Sequence, residues 1–88
     1  MEYTVNIKDI DNRVDYTIAS VDTVVEALAV FEHVLNEILD ADEVTVDDVE
    51  VLNFYLIIKC RSDDGKLKLD IASLFFSKSM PWWGMVEI

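Results

Sequence analysis

Three features of this sequence predict an α+β domain in the order ββαββ, with one helix packed on a mostly antiparallel sheet and room for a short fifth strand at the C-terminus. Segments in which apolar and polar residues alternate strictly lie on both sides of one stretch with helical periodicity. A period of 2 specifies strands and a period of 3.6 a helix. The 88 residues allow one core, so residues 1–88 form a single domain. A hydrophobic share of 52% separates the chain from disordered acidic tails, which bury too little to fold.

The elements follow in order. Tyr3, Val5 and Ile7 alternate with Thr4, Asn6 and Lys8, the pattern of a half-buried strand. Asp11-Asn12 supplies turn chemistry, and Val14, Tyr16 and Ile18 resume the alternation, so residues 3–20 read as a hairpin. Thr23 and Glu26 have capping-box spacing, with Asp22 as an alternative cap favoured by the helix dipole. Val24, Ala27, Leu28, Phe31, Val34, Leu35 and Ile38, extended by Leu39, make one apolar stripe. Asp22, Glu26, Ala29, His33, Asn36, Glu37 and Asp40 fall around the opposite face. Residues 40–50 read as a loop or a short edge segment, in which Val44 and Val46 offer two or three residues of strand.

The second half of the sheet comes from Leu52, Phe54, Leu56, Ile58 and Cys60 on one face, against Asn53, Tyr55, Ile57 and Lys59 on the other. Ser62-Asp63-Asp64-Gly65 is a hairpin turn, residues 66–71 return, and a bulge or bend is expected over residues 72–76. The tail turns at Pro81, and residues 85–88 supply the short last strand. A hairpin followed by Ser20-Val21-Asp22-Thr23 and the main helix resembles the β-grasp (ubiquitin-like) order over roughly residues 3–39. The diglycine with which a ubiquitin-like modifier is conjugated is missing at the C-terminus.

The residue kit for catalysis is thin. His33 and Cys60 are the only residues of their types, so clustered zinc ligands are excluded. Gly65 and Gly84 are the only glycines, which excludes the P-loop and the dinucleotide fingerprint. Cys60 falls on an apolar strand face, where it packs as a small hydrophobe, while His33 lies on the outer helix face. Asp40, Asp42, Glu43, Asp47 and Asp48 are hard oxygen ligands, yet Val44 stands where a calcium loop needs a ligand, and no glycine follows. One Cys makes no internal disulfide, and there is neither a basic-then-apolar leader nor an apolar run long enough to span a membrane. The expectations are no enzyme, no catalytic residue, no metal, no cofactor and a cytoplasmic location.

Charge is more informative. The formal net charge is −11, and no basic residue lies between Arg13 and Lys59. That interval holds Asp15, Asp22, Glu26, Glu32, Glu37, Asp40, Asp42, Glu43, Asp47, Asp48 and Glu50, while the rest of the chain is balanced. Such a charge repels nucleic acid and anionic membranes, so neither is an expected direct partner. Two readings of the clustering stand: solubility for an apolar chain, and an acidic face that imitates nucleic-acid phosphates and occupies a basic groove on another protein. On the second reading Asp22, Glu26, Glu37 and Asp40, continuing through Asp42, Glu43, Asp47, Asp48 and Glu50, contact the partner.

Trp82 and Trp83 are the other recognition candidates. Adjacent side chains on extended backbone alternate sides, so the pair is expected to split, one ring closing the core and one exposed. A small, strongly acidic chain without catalytic residues resembles the phage-encoded inhibitors of host defence, among them anti-CRISPR proteins, anti-restriction proteins and uracil-DNA glycosylase inhibitors. The resemblance lies in size and charge and rests on no motif. It implies binding to a basic, nucleic-acid-binding nuclease or repair enzyme and blockage of its channel. The alternative is an acidic interaction or assembly module, such as a homodimer formed through a sheet edge or the Trp tail.

Overall fold

The fold is that of a computed structural model, which describes residues 1–78 and the backbone of residues 86–87. The elements are β1 (Glu2–Asp9), β2 (Val14–Val21), α1 (Val24–Asp40), β3 (Thr45–Val46), β4 (Val49–Glu50), β5 (Asn53–Arg61), β6 (Lys68–Ser77) and β7 (Val86–Glu87). Five strands form one sheet in the order β2-β1-β5-β6-β7, and β3 and β4 form a separate two-stranded ribbon. Every pair is antiparallel. The α+β class and the helix-on-sheet arrangement therefore hold. The strand–helix–strand order fits in outline, with the two-residue strands of the ribbon intervening between the helix and the second hairpin.

Local chemistry accounts for most boundaries. Thr23 caps α1: its Oγ1 accepts from the Glu26 amide at 3.2 Å and donates to Glu26 Oε1 at 2.8 Å. Asp22, the alternative cap, lies one residue outside. The β1–β2 turn is organised by Asp9, whose carboxylate accepts from the Asp11 and Asn12 amides and from Asn12 Nδ2 at 3.1, 3.2 and 2.8 Å. The β5–β6 turn follows the sequence expectation, with Gly65 at φ 74°, a left-handed conformation that glycine adopts without strain.

The core lies between α1 and the sheet. Val5, Ile7, Ala27, Ile38, Phe54, Leu56, Ile58 and Phe76 are buried there together with Val44 and Val51, and the Phe54 and Phe76 rings stack at 5.2 Å. The helix covers β1, β2 and β5. Its burial is narrower than the apolar stripe: the row Ala27, Phe31, Val34 and Ile38 points at the sheet, while Leu28, on the flank, is 51% exposed. Val24 is exposed as well, and Val30 is half-buried instead. Leu52, expected inside, is exposed, and Val51 takes the buried place beside Val44, whose carbonyl accepts the Val51 amide at 2.9 Å.

Two bulges reset the side-chain phase. On β2, Ala19 pairs with Val5 and Thr17 with Asn6, so Ile18 has no partner on β1. On β6, Ala72 pairs with Ile58 and Asp70 with Lys59, which leaves Ile71 as the extra residue. The irregularity thus falls just before the expected range of 72–76, and pairing through that range is regular. The C-terminal strand is found at Val86–Glu87, beside Leu74 and Phe75.

Candidate functional site

The nine acidic candidates, Asp22, Glu26, Glu37, Asp40, Asp42, Glu43, Asp47, Asp48 and Glu50, are all exposed. They do not form one unbroken line. Asp22 and Glu26 sit at the start of α1, and the helix rises by about 21 Å from Glu26 to Asp40. The helix positions between Glu26 and Glu37 that face the same way hold Ala29, His33 and Asn36. The remaining acids gather at the other end. Glu37, Glu43 and Asp47 line one groove with Val34, Ile38, Ala41 and the ribbon. Trp82 and Trp83 lie outside the described residues.

Contacts within this cluster are sparse. His33 Nε2 lies 3.0 Å from Glu37 Oε1, one helical turn apart. Glu50 is the exception to the uncompensated run, because Lys78 reaches it at 3.0 Å. The Lys78 ammonium, and next a hydrogen bond shared with Glu43, hold the Glu50 carboxyl below its ordinary range. Asp40 closes a helix with no basic residue in its last turn, so its charge faces the negative end of the helix dipole.

The ribbon turn is a feature that sequence reasoning missed. Val46 pairs with Val49, so Asp47 and Asp48 alone make the turn, at φ 51° and 64°. Positive φ at both central residues is the requirement of a type I′ hairpin turn, which normally takes Asn-Gly. The signal was present as Val-Asp-Asp-Val, since Asp tolerates left-handed backbone better than most residues.

Apart from Lys78, which reaches Glu50, the cations of the sheet sit away from this end. Lys8, Lys59, Arg61 and Lys68 alternate with helix-facing residues and so lie on the sheet face away from α1. There Arg61 Nη2 meets Glu2 Oε1 at 2.7 Å, and Lys59 pairs with Asp15. Asn6 Nδ2 also donates to Asp15, at 2.7 Å. Burial alone would raise the Asp15 pKa, but hydrogen bonds from Lys59 and Asn6 outweigh it and the net shift is downward. Asp15, within the acidic interval of the sequence, therefore belongs to this opposite face.

Cys60 is buried with Sγ 3.3 Å from Met1 Sδ, and His33 is exposed on α1. Among the described residues no group of His, Cys, Asp or Glu is arranged to hold a metal ion, and no helix is long and apolar enough to cross a membrane. What the arrangement offers chemically is a concentrated negative field beside an apolar groove. Comparison with protein-family models, curated proteins and solved structures returns no match.

Proposed function

We propose that the protein is a protein-binding inhibitor of a nucleic-acid-processing enzyme, a nuclease or a CRISPR effector, and that its acidic face stands in for nucleic-acid phosphates. The supporting observation is where the acids sit. From Glu37 to Asp48 they are exposed, concentrated at one end of the molecule, and separated from the cations of the opposite sheet face. The partner is then a basic protein that normally binds nucleic acid, with no cofactor involved. On this reading the protein works in the cytoplasm of a bacterial host, as a phage product would.

Affinity capture from a bacterial lysate, read by mass spectrometry, identifies the partner. Binding should weaken steeply as salt rises, because exposed charges are screened within about 8 Å at physiological ionic strength. Reversing Glu37, Asp40, Asp42 and Glu43 to Lys should abolish binding in a protein that stays folded, since all four are exposed. A charge-reversed, folded protein that still binds would remove the mimicry reading.

A second reading, a homodimeric interaction module, draws on apolar exposure: Val25 and Leu28 are uncovered on α1, and β2 is an open sheet edge with Val14 and Ile18 exposed. It predicts self-association that survives high salt, measured by sedimentation.

A further inference from the structure

We propose that the groove between the C-terminal half of α1, the bulged edge strand β2 and the β3–β4 ribbon captures an arginine side chain of the partner. The groove has a volume of about 440 Å³, within the range of about 300–1,000 Å³ for clefts that hold ligands. Its floor is apolar, built by Ile7, Ile18, Val34, Ile38 and Val44. Among the described residues, the charged ones that line it, Glu37, Glu43 and Asp47, are all acidic.

The β2 bulge shapes the floor. Ile18 lacks a partner on β1 and is 40% exposed at the sheet edge, where it forms one wall of the groove. The ribbon turn shapes the rim, since it holds Asp47 beside Val44 and Val46. An apolar trough whose charged edge is made of carboxylates has a specific chemical complement: a long aliphatic stem that ends in a cation. Arginine and lysine both bury their methylenes on apolar surface while the charged head stays at the rim. Arginine adds a planar fork of donors that matches carboxylates in pairs and sheds water more readily than an ammonium. Glu37, on the helix, and Asp47, on the ribbon, approach the groove from two elements, an arrangement suited to a forked head.

This inference takes the partner's basic character from the inhibitor reading, but its test requires no partner. The probe is acetyl-Gly-Arg-Gly-amide, titrated into the full chain at constant ionic strength and followed by amide chemical shifts. Lysine and norleucine versions serve as controls. The arginine peptide should bind at least about tenfold more tightly than the norleucine peptide, as expected of a charge-assisted, paired contact. Shifts should concentrate at Ile18, Val34, Val44 and Thr45.

Ile18→Ser leaves the charge unchanged and should weaken the arginine peptide at least about fourfold, the worth of one buried methylene. Should that variant not fold, Glu43→Gln with Asp47→Asn, at exposed positions, must show the loss instead. Asp63→Lys with Asp70→Lys, at exposed positions outside the groove, should leave peptide binding nearly unchanged. Equal binding of arginine and norleucine, equal binding of arginine and lysine, or shifts spread evenly to Asp22 and Glu26 would each overturn the assignment. If lysate capture finds no basic protein while the peptide binds as described, the inhibitor reading fails and the groove stands. If a basic partner is captured and Ile18→Ser binds it as the parent does, the groove fails and the inhibitor reading stands.

Discussion

Replacing Asp48 separates backbone from charge at the ribbon turn. Asp48 sits at φ 64°, next to Asp47 at φ 51°. An L-residue in this left-handed region is strained by about 1–2 kcal/mol relative to the ordinary helical region. Glycine removes the strain but adds about 0.5–1 kcal/mol of chain entropy to the unfolded state. Asp48→Gly should therefore stabilise the domain by about 0.5–1 kcal/mol. Asp48→Ala removes the same charge and keeps the steric penalty. It should fall below Asp48→Gly by about 1 kcal/mol, which for a chain of this length separates the two melting temperatures by about 4–8 °C. Urea denaturation and thermal melts of the three proteins, side by side, provide the measurement. Equal melting of the glycine and alanine variants would show that the strain does not exceed glycine's entropy cost of about 0.5–1 kcal/mol, and the argument from it would fall. Binding supplies the opposite sign: Asp48→Gly should be more stable and bind a basic partner less tightly.

Two further outcomes concern the rest of the fold. Asp9 is 1% exposed, and its carboxylate accepts three hydrogen bonds in the β1–β2 turn. Asp9→Ala should cost about 2–3 kcal/mol, read as a lower urea midpoint, and Asp9→Asn, which keeps an acceptor oxygen, should cost less. For Asp15, the folded-state pKa lies below its ordinary value, so its stabilisation is present above the unfolded pKa and is lost as pH falls through the folded one, below about pH 4. Asp15→Asn should thus be less stable than the parent at neutral pH, and the difference should close in strong acid. A gap of constant size from pH 7 to pH 2 would contradict the assignment of the shift to Lys59 and Asn6.

What the sequence made legible was local. Thr23 announces the helix because a hydroxyl three residues before a Glu has a backbone amide to satisfy. The turn at Gly65 is equally direct, and Phe54, Leu56, Ile58 and Cys60 share a face because strand side chains alternate. Ile18 illustrates what was hidden: Val14, Tyr16 and Ile18 keep perfect alternation, yet the pairing with β1 inserts a bulge there. That pairing is set by tertiary contacts and leaves no mark on β2 alone. Leu28 is similar, because a wheel gives the direction of the stripe but not the rotation at which the helix docks. Asp9 drew no reading at all, since nothing in the alternation marks a carboxylate that bonds two and three residues ahead. For the candidate site, exposure of the acids followed from residue type. The continuous face expected of them divides instead between the two ends of α1, and the groove required β2, α1 and the ribbon to be placed together.

The two explanations for the acidic cluster, solubility and recognition, make different demands on position. Solubility is served by carboxylates anywhere on the surface, preferably where local physics favours them, such as the first turn of a helix. Glu26 occupies such a place. The acids around the groove do not. Asp40 ends α1 against the dipole, an opposition worth about 0.3–1 kcal/mol at an exposed site. Asp47 and Asp48 fill the two left-handed positions where Asn-Gly would be at ease, and they set like charges side by side. These conflicts fall within one stretch of residues 40–50, and that stretch borders the groove. A sequence under selection for dispersal alone has no reason to concentrate its local conflicts beside an apolar cleft. A sequence under selection to present carboxylates to a cation does, because there the position of each charge matters more than its local comfort. The placement of the acids, more than their number, is therefore what favours recognition.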